Sequence, residues 1–199
     1  SGTLYLRASN PRYHHHIGNL FGQLNAYGAE VKNCTNSGNI EAESTFAPLR
    51  CRLAGLFGVL YYSYVNDCTN SGNINYNGAT TATNQMYIGG CIGYGYSSKT
   101  GNFKVSGLKN KGKITINSGT ASKTAQICIA GIAGSLQKLY TDASYVKDCV
   151  NIGDIEINLP TTYTGVDVAG IIAHHGSIDN TNIVFSGHKQ YSTIKAMGW

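Results

Sequence analysis

A ten-residue phrase occurs four times in this chain, and its spacing constrains the fold more than any other feature. The copies are Val31-Lys-Asn-Cys-Thr-Asn-Ser-Gly-Asn-Ile40, Val65-Asn-Asp-Cys-Thr-Asn-Ser-Gly-Asn-Ile74, Val105-Ser-Gly-Leu-Lys-Asn-Lys-Gly-Lys-Ile114 and Val146-Lys-Asp-Cys-Val-Asn-Ile-Gly-Asp-Ile155. The shared pattern, Val-x-x-(Cys/Leu)-x-Asn-x-Gly-x-Ile, sets Asn36, Asn70, Asn110 and Asn151 in register, 34, 40 and 41 residues apart. A fixed period of that length is the signature of stacked similar units. Stacked units present a long surface, which points to binding before catalysis.

A second phrase precedes each of these. It reads Ile17-Gly-Asn-Leu-Phe-Gly22, Leu53-Ala-Gly-Leu-Phe-Gly58, Ile88-Gly-Gly-Cys-Ile-Gly93, Ile129-Ala-Gly-Ile-Ala-Gly134 and Val168-Ala-Gly-Ile-Ile-Ala173. Its last residues fall 36, 35, 41 and 39 apart, so the two phrases advance together. One unit is a glycine phrase, a tyrosine-bearing stretch, an asparagine phrase and a variable polar stretch. The fifth unit keeps the glycine phrase and loses the asparagine phrase, with Ile183-Val-Phe-Ser-Gly-His188 as a degraded remnant. A terminal unit that departs from consensus is expected of a stack that caps its ends.

Local chemistry makes these units β. Gly is abundant at 25 residues, Pro scarce at 3 and charge low at 13%, a mix that suits short strands and tight turns over long helices. Ile114-Thr-Ile-Asn and Ile155-Glu-Ile-Asn alternate with the period of a strand, and Asn-Ser-Gly before Ile40 and Ile74 supplies a turn. The prediction is an all-β, parallel β-solenoid of about five coils of 35–41 residues, each with three strands in a triangular section and right-handed crossovers. It forms a single repeat domain over residues 1–199, with 1–16 as an N-terminal lead, 17–173 as the repeated coils and 174–199 as a degenerate C-terminal coil or cap. A sandwich of antiparallel hairpins is the rival, but it would not impose a register of 35–41 residues.

Stacking assigns each repeated position a role. Coils about 4.8 Å apart place identical positions atop one another. The Val and Ile anchors then form apolar rows, and Asn36, Asn70, Asn110 and Asn151 an asparagine ladder. Lys113 is expected beside Asp154 as an exposed opposite pair.

The glycine phrases Gly55-Leu-Phe-Gly58, Gly90-Cys-Ile-Gly93 and Gly131-Ile-Ala-Gly134 resemble the GLUG repeat of bacterial surface adhesins and IgA-peptidase-like proteins. With the asparagine phrases, residues 17 to 173 are similar to repeat regions of large secreted or cell-surface proteins of gut-type bacteria. The resemblance implies surface exposure and adhesion and supplies no catalytic residues. Asn19 and Ala173 depart from its pattern.

Candidate chemistry is sparse. Cys34, Cys68 and Cys149 share one repeat position that Leu108 fills in the remaining copy, so they read as small core hydrophobes; a Cys34–Cys68 disulfide between adjacent coils is the alternative. No cysteine pair has the close spacing of a zinc site, so no metal and no cofactor is expected. His14-His15-His16 and His174-His175 fall in units one and five, about 19 Å apart at four coil rises, and read as solvated or end-capping side chains, with adventitious metal binding the alternative. Asp67 and Asp148 share a repeat position beside Asn33 and read as turn residues; as a glycosidase pair they would be two coils apart. No nucleophile elbow or phosphate loop occurs.

Tyrosine, at 14 residues, is the stronger lead. Tyr27, Tyr61, Tyr62, Tyr64, Tyr94, Tyr96, Tyr140 and Tyr145 follow the glycine phrase at similar places, with Tyr61, Tyr62, Tyr64, Tyr94, Tyr96 and Tyr140 the expected ligand contacts. A stripe of rings with polar tips suits sugar faces or protein epitopes, and strand alternation turns about half of them inward. The net charge of +5 is spread over 15 Lys and Arg without a run, which disfavours nucleic acid. No window is apolar and long enough to span a bilayer, and the start Ser1-Gly2-Thr-Leu-Tyr lacks the basic and apolar segments of a signal peptide. The expectation is a non-enzymatic, secreted or cell-surface binding module that contacts a glycan or an extracellular protein. A structural stalk is the alternative. A polysaccharide lyase or hydrolase is the second alternative, by analogy of fold alone.

Overall fold

The computed structural model describes residues 2–7, 14–46, 48–78, 85–97, 101–118, 126–139, 143–159, 165–176 and 184–197. Every regular element among them is a strand, and every pairing between strands is parallel. No helix is long and apolar enough to cross a membrane among these residues. The chain passes through Thr3–Leu6 (β1), His14–Gly18 (β2), Phe21–Asn25 (β3), Glu30–Lys32 (β4) and Thr35–Asn36 (β5), then starts the same circuit again at Asn39–Ala42 (β6). Each circuit lies on the one before, so the chain is a β-solenoid with five sheets along its length, one of six strands and four of five.

Five strands per circuit correct the expected three, because both phrases bend. The glycine phrase divides into Arg50–Ala54 (β7) and Phe57–Tyr61 (β8), with a corner at Gly55-Leu56. The asparagine phrase divides into Tyr64–Asn66 (β9), Thr69–Asn70 (β10) and Ile74–Tyr76 (β11). Its first corner has left-handed backbone: φ is 55° at Asn33, 53° at Asp67, 64° at Gly107, 55° at Asp148 and 70° at Gly187. Asn, Asp and Gly are the residues that take this conformation at least cost. The corner therefore explains why this position varies among those three types. Asp67 and Asp148 are the turn residues the sequence suggested.

Register also recovers a fifth asparagine phrase. Val184–Ser186 pairs with Tyr145–Lys147, Lys189–Gln190 with Val150–Asn151 and Ile194–Met197 with Ile155–Asn158. Phe185, His188, Gln190, Ser192 and Ile194 thus stand where earlier copies carry Val, Cys, Asn, Gly and Ile. The unit is diverged, not lost. Likewise Gly2-Thr-Leu4 occupies the register of Gly38-Asn-Ile40, with Leu4 opposite Ile40.

The Val and Ile rows do not share one core. Ile40, Ile74, Ile114 and Ile155 pack with Leu53, Ile88 and Ile129 between the first and second sheets. Val65, Val105 and Val146 pack with Cys68, Leu108 and Cys149, and with Leu60 and Leu136 of the third sheet. All six cysteines are free thiols, Cys34 and Cys68 included. Burial pushes the Cys149 thiol up to about 12, the state of an inert core side chain.

Between these cores runs the ladder. The Asn36 amide donates to Asn70 Oδ1 at 2.8 Å, Asn70 to Asn110 at 2.9 Å and Asn110 to Asn151 at 2.8 Å. Each amide also donates to the carbonyl two residues on, at Gly38, Gly72, Gly112 and Gly153. Asn151 ends the chain of bonds on Ser192 Oγ at 2.9 Å. Four buried carboxamides are satisfied by one another and by the corner they turn.

An outer row is polar too. Asn39 Oδ1 accepts the Asn73 backbone N–H, Asn73 that of Lys113, and Asp154 that of Thr193. Asp154 is thereby committed upward, and Lys113 pairs with Glu156 at 2.6 Å in place of the expected Asp154.

Candidate functional site

The second sheet (β2, β7, Gln85–Gly89, Gln126–Ala130, Val166–Ala169) and the third (β3, β8, Ile92–Tyr96, Ala133–Gln137, Ile172–His175) lie back to back across a seam. Glycine sets their approach. A Cβ at Gly93 would fall 2.8 Å from the Leu53 nitrogen, and one at Gly134 2.7 Å from that of Ile88. Beyond this contact the sheets carry facing rows of larger side chains. One row is His16, Arg52, Tyr87, Cys128 and Asp167; the other is Gln23, Val59, Tyr94, Ser135 and His174. Strand alternation points both rows away from the two cores. Because each sheet covers the other, Val59, Tyr87, Tyr94 and Cys128 are nonetheless buried, as a third apolar cluster.

Tyrosines dominate the middle of the seam. Tyr87 stacks on Tyr94 with centroids 5.7 Å apart, and Tyr94 on Tyr96 at 6.5 Å. Tyr61 meets Tyr94 and Tyr96 edge-on at 6.4 and 5.5 Å. Tyr62, in a left-handed corner at φ 49°, meets Tyr96 at 6.0 Å and lies flat on Tyr27 at 4.6 Å. Six rings from three successive circuits form one cluster. Tyr87 and Tyr94 are its buried floor, Tyr61, Tyr62 and Tyr96 are half-buried, and Tyr27 is 65% exposed.

Polar groups fix the rings. The Tyr87 hydroxyl donates to Gln126 Oε1 at 2.9 Å, and the Arg52 guanidinium lies 4.0 Å over the Tyr94 ring. Burial raises the Tyr94 hydroxyl to about 12 against the opposing pull of Arg52, so it remains a protonated donor. Lys138 Nζ stands 6.0 Å from the Tyr96 ring at the rim. Hydrogen-bonded Tyr87 and Tyr94 thus form a floor under the outer rings, with the Lys138 cation at the rim.

Of the six tyrosines assigned from sequence, Tyr61, Tyr62, Tyr94 and Tyr96 come together here, Tyr94 in the buried floor. Tyr64 lies on the fourth sheet, where Lys104 Nζ is 4.9 Å from its ring. Tyr140 lies outside the described residues. The cluster adds Tyr87, which precedes the glycine phrase and gave no stripe signal, and Tyr27, which the stripe contained.

The histidine clusters close the two ends of the seam. His16 Nδ1 bonds Gln23 Oε1 at 2.8 Å, and His174 Nδ1 bonds Asp167 Oδ2 at 3.2 Å. They belong to separate ends, as their units required. A shallow depression of about 200 Å³ lined by Lys113, Asp154, Glu156, Thr193 and Lys195 lies on the first sheet, away from the tyrosines. It is smaller than the roughly 300–1,000 Å³ of small-molecule sites. Asp67 and Asp148 are committed to their corners, where each side chain covers the next circuit's glycine, Gly107 and Gly187.

Comparison with known proteins finds no matching family model, no matching curated protein and no matching solved structure.

Proposed function

We propose that this chain is a non-enzymatic binding module that holds a glycan, or an epitope of an extracellular protein, on the tyrosine cluster of the seam. The observation that carries the reading is the contact of six tyrosine rings, 4.6 to 6.5 Å apart, with Tyr27, Tyr61, Tyr62 and Tyr96 reaching the surface. Immobilised rings with polar tips lose little entropy on binding and stack on the apolar face of a pyranose or on a protein side chain. The GLUG-like phrases support a secreted or cell-surface location. Residues of the repeat grammar build the scaffold, and the tyrosines lie where the repeats vary.

The test is a glycan array and a mucin pull-down with the wild-type chain and with Tyr27→Ala/Tyr62→Ala. Binding that falls at least about tenfold in the double variant supports the reading, since each aromatic contact contributes on the order of 1 kcal/mol. Absence of binding in both assays, with the fold intact, refutes it.

A stalk that spaces another domain from the cell is the second reading. It is favoured by the unbroken register of five parallel sheets, which makes a rod whose length grows with each unit. Adhesion unchanged by the tyrosine substitutions would select it.

A further inference from the structure

The repeat grammar accounts for five of the six cysteines. Cys34, Cys68 and Cys149 occupy the plug position of the asparagine phrase, and Cys51 and Cys91 line the two cores. Cys128 is different. It is on the seam face of Gln126–Ala130, in the row that carries His16, Arg52 and Tyr87 in earlier circuits. Its row neighbour in the next circuit is Asp167, and His174 stands opposite Asp167 across the seam. The Cys128 Sγ is 3.6 Å from Asp167 Oδ2, His174 Nδ1 is 3.2 Å from the same oxygen, and all three ligand atoms lie within 4.8 Å of one another.

We propose that Cys128, Asp167 and His174 form a binding site for a divalent transition metal of the zinc type. Tetrahedral zinc with bonds of about 2.3 Å to sulfur, 2.1 Å to oxygen and 2.0 Å to nitrogen sets its ligand atoms about 3.4–3.6 Å apart. The sulfur–oxygen and nitrogen–oxygen separations already match that spacing to about 0.2 Å, and sulfur and nitrogen lie within 4.8 Å of each other. One soft thiolate, one imidazole and one carboxylate suit zinc over magnesium or calcium, which prefer all-oxygen shells. Three protein ligands leave a fourth position. Asp167, with a side chain 48% exposed, keeps that position within reach of solvent, so water or a ligand oxygen fills it.

The Cys128 thiol donates to Asp167 Oδ2 at 3.6 Å. A dication held here would take the place of that hydrogen bond: the Cys128 S–H bond breaks, a sulfur–metal bond forms, and one proton leaves to solvent. His174 binds through Nδ1 as the neutral ring and keeps its Nε2 proton. The metal would tie the circuit of Asp167 and His174 to the one below and sit one row from Tyr87 and Tyr94, at the end of the tyrosine seam.

The test uses untagged chain stripped with a chelator and titrated with Co²⁺ and Zn²⁺. One Co²⁺ per chain, a near-ultraviolet thiolate-to-cobalt charge-transfer band that Zn²⁺ abolishes, and release of one proton per Zn²⁺ are the expected results. Cys128→Ser should remove the band and weaken Zn²⁺ by on the order of 100-fold, and His174→Ala should weaken it comparably. His14→Ala/His16→Ala should change none of these. Circular dichroism of each variant verifies that the solenoid persists, and Asp167→Asn serves as the third ligand variant if Cys128→Ser unfolds. Absence of the band in the wild type, or Zn²⁺ affinity unchanged in folded Cys128→Ser or Asp167→Asn, overturns the proposal.

Discussion

Gly55 and Asn70 form one joint: a Cβ at Gly55 would overlap the Asn70 carboxamide. The same relation holds for Gly90 with Asn110, Gly131 with Asn151 and Gly170 with Gln190. The central glycine of one phrase is therefore the space that the ladder of the other needs, which is why the two advance together. In the first unit Asn19 replaces the glycine and its amide donates to the Gly38 carbonyl at 2.7 Å. Gly90→Ala and Gly131→Ala should each destabilise the fold by about 2 kcal/mol or more through overpacking, read as a lower urea midpoint. A midpoint unchanged in both would separate the glycine from the ladder.

Breaking the ladder at its centre should cost more than at its end. Asn110→Leu leaves the Asn70 amide without its carboxamide acceptor and Asn151 Oδ1 without its donor, a loss of about 2–4 kcal/mol from buried polar groups. Asn36→Leu removes the first rung, where Asn36 is 7% exposed against 0% for Asn110, and should cost less. Urea unfolding of the two variants checks the order. Equal losses would mean that the rungs act independently of their stacking.

The left-handed corner makes a third prediction. Gly107→Ala should lose about 1–2 kcal/mol, because φ is 64° there and the new methyl would meet the Asp67 side chain. Asp148→Asn should be near neutral, since Asn33 already serves at that position. Thermal melts of the two variants distinguish a backbone requirement from a charge requirement.

His188 gives the fold a pH dependence of known sign. Its Nδ1 accepts the Cys149 backbone N–H at 3.3 Å, which requires the neutral ring. Burial lowers its pKa below the ordinary 6.5, with the Asp148 carboxylate opposing. A folded pKa below the unfolded one means the unfolded chain binds the proton more tightly. The contribution is thus complete above about pH 6.5 and is lost as pH falls through the folded value. His16 is lowered in the same direction by burial and by Arg52, so the His188 share is the difference between wild type and His188→Gln. Stability curves from pH 8 to 5 that run parallel for the two would remove His188 from the account.

Much of the scaffold was legible in the sequence, because stacking repeats a residue's letter when it repeats its role. The ladder, the parallel register and the plug position of Cys34, Cys68, Leu108 and Cys149 follow from the four aligned phrases. The fifth phrase did not, since Phe185, His188, Gln190 and Ser192 keep the roles with different letters. The number of strands was missed because a corner at Gly55-Leu56 leaves an apolar run unbroken. Tyr87 was missed for a different reason. Alternation places it outside the core, and only the neighbouring third sheet buries it. The juxtaposition of Cys128, Asp167 and His174 comes from three strands in two circuits, with separations that no local spacing rule contains.

The claim that the tyrosine cluster is the binding surface is tested most directly by aromatic-ring NMR during titration with mucin-derived O-glycans. The account predicts shifts concentrated in Tyr27, Tyr61, Tyr62 and Tyr96, with Tyr64 on the fourth sheet unmoved. Shifts centred on Tyr64 or away from the tyrosines, or no shift at saturating glycan, would contradict it.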